Sequence, residues 1–150
     1  MSNTINLNDW VFDISLPPDA TEDVDIEEFC KTETVERTLQ YIADNQTDLQ
    51  TLIMKIISED YDKALKEYGE DEDIPVVKNE EELKELLMPL SVTIHSTVKD
   101  GYNYIGYGFD CSWEEEHGLG ILTYKDTVIE HGGEDHAFLQ WMSCQDAEKA

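Results

Sequence analysis

The chain has 150 residues, with 35 Asp and Glu against 10 Lys and Arg, giving a formal net charge of −25. Such a field repels nucleic-acid phosphates and anionic lipid heads, so direct nucleic-acid or membrane binding is disfavoured, and basic protein surfaces are attracted. A hydrophobic share of 40% is enough for one ordinary core, so residues 1–150 are read as a single domain, with 33–140 as its core.

Taken in chain order, Trp10, Phe12, Ile14 and Leu16 alternate with Val11, Asp13 and Ser15, the period of a half-buried strand. Pro17-Pro18 stops it. The acid-rich stretch that follows has little to bury, so residues 17–32 read as a solvated acidic loop. Val35, Leu39 and Ile42 predict a helix over 34–44. Thr47 with Gln50 matches a capping box, and Leu49, Leu52, Ile53, Ile56, Ile57, Tyr61, Leu65 and Tyr68 trace one apolar stripe. A long helix over 48–68 is expected there, ended by Gly69. Its wide, bulky stripe points to core packing rather than to a partner-binding face.

Glu70-Asp71-Glu72-Asp73 closes the helical half. It lacks the glycine and distal glutamate of a calcium loop. Asn79 with Glu82 predicts a third helix over 80–87, ended by Pro89. Beyond Pro89 the period becomes two. Val92 and Ile94 open a strand, and Lys99-Asp100-Gly101 supplies a hairpin turn whose Asp-Gly pair accepts positive φ. Ile105, Tyr107, Phe109, Cys111 and Trp113 line one face of the next strand, and Tyr102, Tyr104, Gly106, Gly108 and Asp110 the other. Leu119 to Tyr124 and Thr127 to His131 complete the series. The pattern predicts an α+β fold in which an N-terminal strand and helices pack on a C-terminal antiparallel meander of four or five strands.

Gly106 and Gly108 remove side chains from one strand face, for close approach of a helix, a bend in the sheet, or a ligand. The corner containing Trp113, Glu116, His117, Gly118 and Gly120 offers a carboxylate beside an imidazole. Acid–base work needs more groups in register than this, so a histidine held by hydrogen bonds at a sheet corner is the simpler reading. His117, His131 and His136 could converge on a metal, but their spacing matches no zinc module. Cys111 alternates with core residues and reads as a buried hydrophobe rather than a nucleophile. No glycine-rich turn opens a helix to cradle a phosphate. No cofactor, metal site or catalytic residue is expected. Cys30, Cys111 and Cys144 form no C-x-x-C pair, and the N-terminus lacks a secretory pattern; both predict a cytoplasmic protein with reduced thiols.

The segment Phe109-Asp110-Cys111-Ser112-Trp113-Glu114-Glu115-Glu116-His117-Gly118-Leu119-Gly120 resembles the signature of an uncharacterised bacterial family, close to F-x-C-x-W-D-x-E-H-G-L-G. Glu114 departs from it where aspartate stands. The resemblance spans about residues 35 to 138, and members look similar in size and acidity to immunity proteins of polymorphic toxin systems. It implies a non-enzymatic binding protein that neutralises a basic partner, such as a toxin, by occlusion. Exposed carboxylates at Glu22, Asp23, Asp25, Glu27 and Glu28, and at Glu70, Asp71, Glu72 and Asp73, are the candidate contacts. They can meet Lys and Arg without first leaving a core. The alternatives are a nucleic-acid mimic that inhibits a DNA- or RNA-binding protein, a small-ligand or metal site at the His117/His131 corner, and acidity that serves solubility alone.

Overall fold

The computed structural model describes residues 4–16, 25–68, 76–113, 118–137 and 140–148. At the N-terminus the alternating pattern forms a hairpin rather than one strand. β1 (Thr4–Leu7) and β2 (Trp10–Ser15) pair antiparallel around Asn8-Asp9, with Asn8 at φ 58°. Asparagine tolerates this left-handed conformation better than most residues. Among the described residues four helices follow: α1 (Ile26–Cys30), α2 (Glu33–Asp44), α3 (Gln46–Tyr68) and α4 (Glu80–Glu85). β3 (Leu87–Lys99), β4 (Tyr102–Cys111), β5 (Leu119–Tyr124) and β6 (Thr127–Gly132) form the meander, trailed by a 3₁₀ turn (Glu134–Ala137) and α5 (Gln140–Glu148).

The fold is α+β, but the sheet departs from the expected antiparallel meander of four or five strands. Among the described residues it has six strands in the order β1-β2-β3-β4-β5-β6, and β2 runs parallel to β3 with Asp13 opposite Ser91. Parallel neighbours need a long crossover, and the connection carrying α1 to α4 is that crossover. The sheet is therefore mixed.

Several local expectations shift for identifiable reasons. Thr47 and Gln50 do not form a capping box. α3 begins at Gln46, with only Asn45 between it and the end of α2, and these side chains hold the β1–β2 turn instead. Asn8 donates from its backbone to Gln46 Oε1 (2.9 Å) and from Nδ2 to Gln50 Oε1 (3.0 Å), while Gln50 donates to Asp9 Oδ1 (2.7 Å). The third helix stops at Glu85, and β3 already includes Pro89. That proline lies beside a register shift and beyond the short β2 pairing, so its missing N–H interrupts no full ladder. Asn79 caps α4 as expected, accepting from the Glu82 N–H at 2.9 Å. Asp100 and Gly101 (φ 50° and 86°) form the two-residue turn between β3 and β4. The predicted terminator Gly69 lies outside the described residues.

One core lies between the sheet and α2–α3. Val35, Ile42, Leu49, Ile53, Ile57 and Tyr61 meet Ile105, Tyr107, Phe109 and Cys111 there. Phe109 contacts Trp10 and Phe12 edge-on at 5.1 and 5.3 Å between ring centroids, the arrangement ring quadrupoles favour. The opposite face of the sheet is covered by the 3₁₀ turn and α5. A Cβ on Gly106 would stand 1.6 Å from the Ala137 carbonyl oxygen, so the helix-packing reading of this glycine holds. Among the described residues no helix is long and apolar enough to cross a membrane.

Two outcomes follow from this packing. Gly106→Ala must push the 3₁₀ turn off the sheet, costing about 3 kcal/mol, the upper end of overpacking penalties; chemical denaturation measures it, and a loss near zero would refute the contact. Asp9 is held below its ordinary pKa of 3.8, first by the Gln50 hydrogen bond and then by Lys84, against a smaller opposing effect of burial. A depressed folded pKa adds stability above the unfolded value, lost as pH falls through the folded one. Asp9→Asn is therefore expected to melt earlier than the parent at neutral pH and to match it in strong acid.

Candidate partner-binding surface

Part of the segment read as an acidic loop is helical. Asp25 caps α1, its Oδ1 accepting from the Glu27 N–H at 2.9 Å, which satisfies one of the donors a helix start leaves open. Glu27 and Glu28 occupy the first turn, where carboxylates suit the positive end of the helix. Phe29 and Cys30 turn inward and pack against the core, so Asp25, Glu27 and Glu28 are left exposed. Glu33 and Glu36 extend the exposed acid onto the first turn of α2, where Glu33 pairs with Arg37 at 3.0 Å. Glu22, Asp23 and Glu70, Asp71, Glu72 and Asp73 lie outside the described residues.

Beside α1 is an open pocket of about 450 Å³, lined by β1, β2, α1, α2 and the start of α3. Ile5, Ile14, Cys30, Leu39 and Ile42 give it an apolar lining, and Glu27 and Lys31 bring charge to it. Its volume lies within the range of small-molecule and side-chain pockets. Burial pushes the Cys30 thiol pKa up, away from the thiolate a nucleophile requires. The chemistry on offer is apolar burial next to exposed carboxylates.

The tryptophan–glycine corner is scattered across the sheet. Trp113 is buried edge-on to Tyr61 at 5.2 Å, and its Nε1–H donates to Asp60 Oδ2 at 3.3 Å, which ties the end of β4 to α3. Gly118 takes φ 62° before β5. Gly120 stands opposite both Gly108 and Gly132, so three strands share a row without side chains. The His136 ring fills the end of that row. A Cβ on Gly132 would meet it at 2.5 Å, and its Nδ1 lies 3.1 Å from Gly133 O. His131 is exposed on β6 opposite Ile121. Glu116 and His117 lie outside the described residues. Among the described residues no cluster of His, Cys, Asp or Glu could hold a metal ion.

A buried polar cluster, absent from the sequence reading, lies on the other face. His95 and Ser143 are fully buried, with His95 Nδ1 3.0 Å from Ser143 Oγ and Nε2 2.7 Å from Ala137 O. Ala137 O only accepts, so Nε2 carries a proton. Thr97 Oγ1 reaches Ser143 Oγ at 2.8 Å, and Tyr104 donates to Asp146 at 2.6 Å. Burial, and then the bond to Asp146, push the Tyr104 phenol above its usual range. Serine beside histidine suggests a nucleophile and base, yet both side chains are fully buried between α5, which carries Ser143, and the sheet. The cluster seats α5. Trp141 and Met142, apolar and adjacent, are the signal in the sequence for that element.

Among the known protein families, the model described as "Domain of unknown function (DUF6985)" matches residues 4–139, and the chain belongs to that family. No curated protein and no solved structure matches it.

Trp113→Ala would empty a buried aromatic site and orphan a hydrogen bond to α3. A loss of about 3–5 kcal/mol is expected, measured by urea denaturation. An unchanged midpoint would return this corner to the list of open sites.

Proposed function

We propose that this DUF6985 chain is a non-enzymatic, acidic binding protein of immunity type, which neutralises a basic partner, such as a toxin, by covering its active surface. One observation carries the reading: Asp25, Glu27 and Glu28 are exposed on α1, held by a helix cap at the border of an apolar-lined cavity. Carboxylates placed this way can meet Lys or Arg without a prior desolvation cost, and the apolar lining beside them gains by exclusion of water. A charge of −25 steers a basic protein toward the surface and speeds encounter. The resemblance of the Phe109–Gly120 signature to a family akin to immunity proteins supports the same reading.

Co-expression and kinetics test it. A basic protein retained on this chain at low salt is expected to arrest growth when expressed alone and to be harmless when the two are expressed together. Its association rate is expected to fall steeply as salt rises, and to fall about tenfold or more when Asp25, Glu27 and Glu28 are all changed to lysine. A salt-insensitive association rate would overturn the acidic surface as the contact. A retained partner without toxicity would overturn the immunity assignment.

A further inference from the structure

The two edges of the sheet are built differently. At the β6 edge, the ladder to β5 is broken by a register shift between Leu122 and Thr123, and Glu130 and His131 are exposed. Charges and irregular pairing are the usual means of keeping another strand off an edge. At the other edge, β1 reads Thr-Ile-Asn-Leu, with no charge and no proline, and its ladder to β2 runs without a shift. Among the described strands β1 pairs only with β2. In a hairpin closed by a two-residue turn, the flanking pair Leu7–Trp10 exchanges both hydrogen bonds, so the main-chain N–H and C=O of Asn6 point away from β2.

From these observations together with the neighbouring cavity, we infer that β1 accepts an added strand: an extended basic segment of a partner protein pairs with the edge at Asn6 and seats an apolar side chain in the cavity lined by Ile5, Ile14, Cys30, Leu39 and Ile42. The inference rests on the acidic-binder reading and deepens it by naming the conformation and pattern of the contact. Successive side chains of an added strand point to opposite faces. Those on the helix side enter the space between β1, α1 and α2, next to Glu27. Lysine or arginine two positions before or after that apolar side chain shares its face and meets Asp25, Glu27 and Glu28, which are exposed. A second copy of this chain is the poorer occupant. It would bring another −25 to the same acidic border, a repulsion that a basic segment replaces with attraction.

Two synthetic peptides of about six residues, one strand length, separate strand pairing from charge: the lysine–valine peptide has lysine, valine and lysine at alternate positions with threonine between them, and the other has proline in place of each threonine at equal charge. Calorimetric titration is expected to show the lysine–valine peptide binding about tenfold more tightly, with slowed amide exchange at Asn6. Asn6→Pro removes the outward N–H and is expected to abolish that difference while circular dichroism stays that of the parent. Should that variant not fold, Ala43→Leu, which fills the cavity from α2, is expected to weaken the lysine–valine peptide alone. Equal binding of both peptides, lost in Glu27→Lys/Glu28→Lys, would overturn strand addition and leave the acidic-binder reading standing. Binding of both that survives those charge reversals and high salt would overturn both. A concentration-dependent dimer abolished by Asn6→Pro would overturn the basic occupant in favour of a second copy.

Discussion

Tyr104, Ile105, Gly106, Tyr107, Gly108 and Phe109 are consecutive and all buried, so β4 must be covered on both faces. Side chains on a strand alternate between faces, and two-sided burial therefore demands two layers. Ile105, Tyr107 and Phe109 are met by α2 and α3. On the other face, glycine at 106 lets the backbone of the 3₁₀ turn come down to van der Waals range, and His95 then bonds its last carbonyl. From there α5 follows across β3, held through Ser143 and Asp146. A side chain at Gly106 would separate these layers. The interactions of His95 and Tyr104 with the C-terminal segment depend on that contact.

The parallel pairing of β2 with β3 places the remaining parts. Because the connection between them must cross the sheet, its helices are carried to one face and returned to β3 by α4. The hairpin is thereby left at the sheet edge with α1 beside it. Asn8 and Asp9 bind Gln46, Gln50 and Lys84, so the start of α3 and the end of α4 are fastened to the hairpin turn by polar contacts. The cavity is bounded by the elements this arrangement leaves together: the edge strand, its hairpin partner and the first two helices.

Charge is distributed with the same asymmetry. The described carboxylates of α1 and early α2 are exposed at helix starts, where the backbone favours them. At the turn between β3 and β4 and that between β5 and β6, cations gather instead over aromatic rings. Lys125 stands 4.1 Å from the centre of Tyr102, Lys99 5.3 Å from that of Tyr124, and Arg37 donates to Gly101 O. Lys99, Lys125 and Arg37 thus serve packing and turns, while the described carboxylates of α1 and early α2 face solvent.

Periodicity in the sequence determined the α+β class, the long amphipathic helix, the N-cap of α4, the Asp-Gly turn and the strands of the meander, because each depends on neighbours within a few residues. The same holds for the burial of Trp113 and Cys111, which continue the apolar alternation of Ile105, Tyr107 and Phe109. What the sequence did not determine was decided by contacts between distant segments. Thr47 and Gln50 look like a cap and serve a turn 39 and 42 residues away in sequence. A four-residue strand such as β1 carries too few alternations to register alone, and the parallel β2–β3 pair leaves no local mark. His95 sits on the face of β3 that alternation assigns to polar residues, and nothing near it in sequence announces that α5 covers that face. Tertiary structure decided these features because burial and hydrogen-bond satisfaction belong to the assembled layers, whereas periodicity reports only one element at a time.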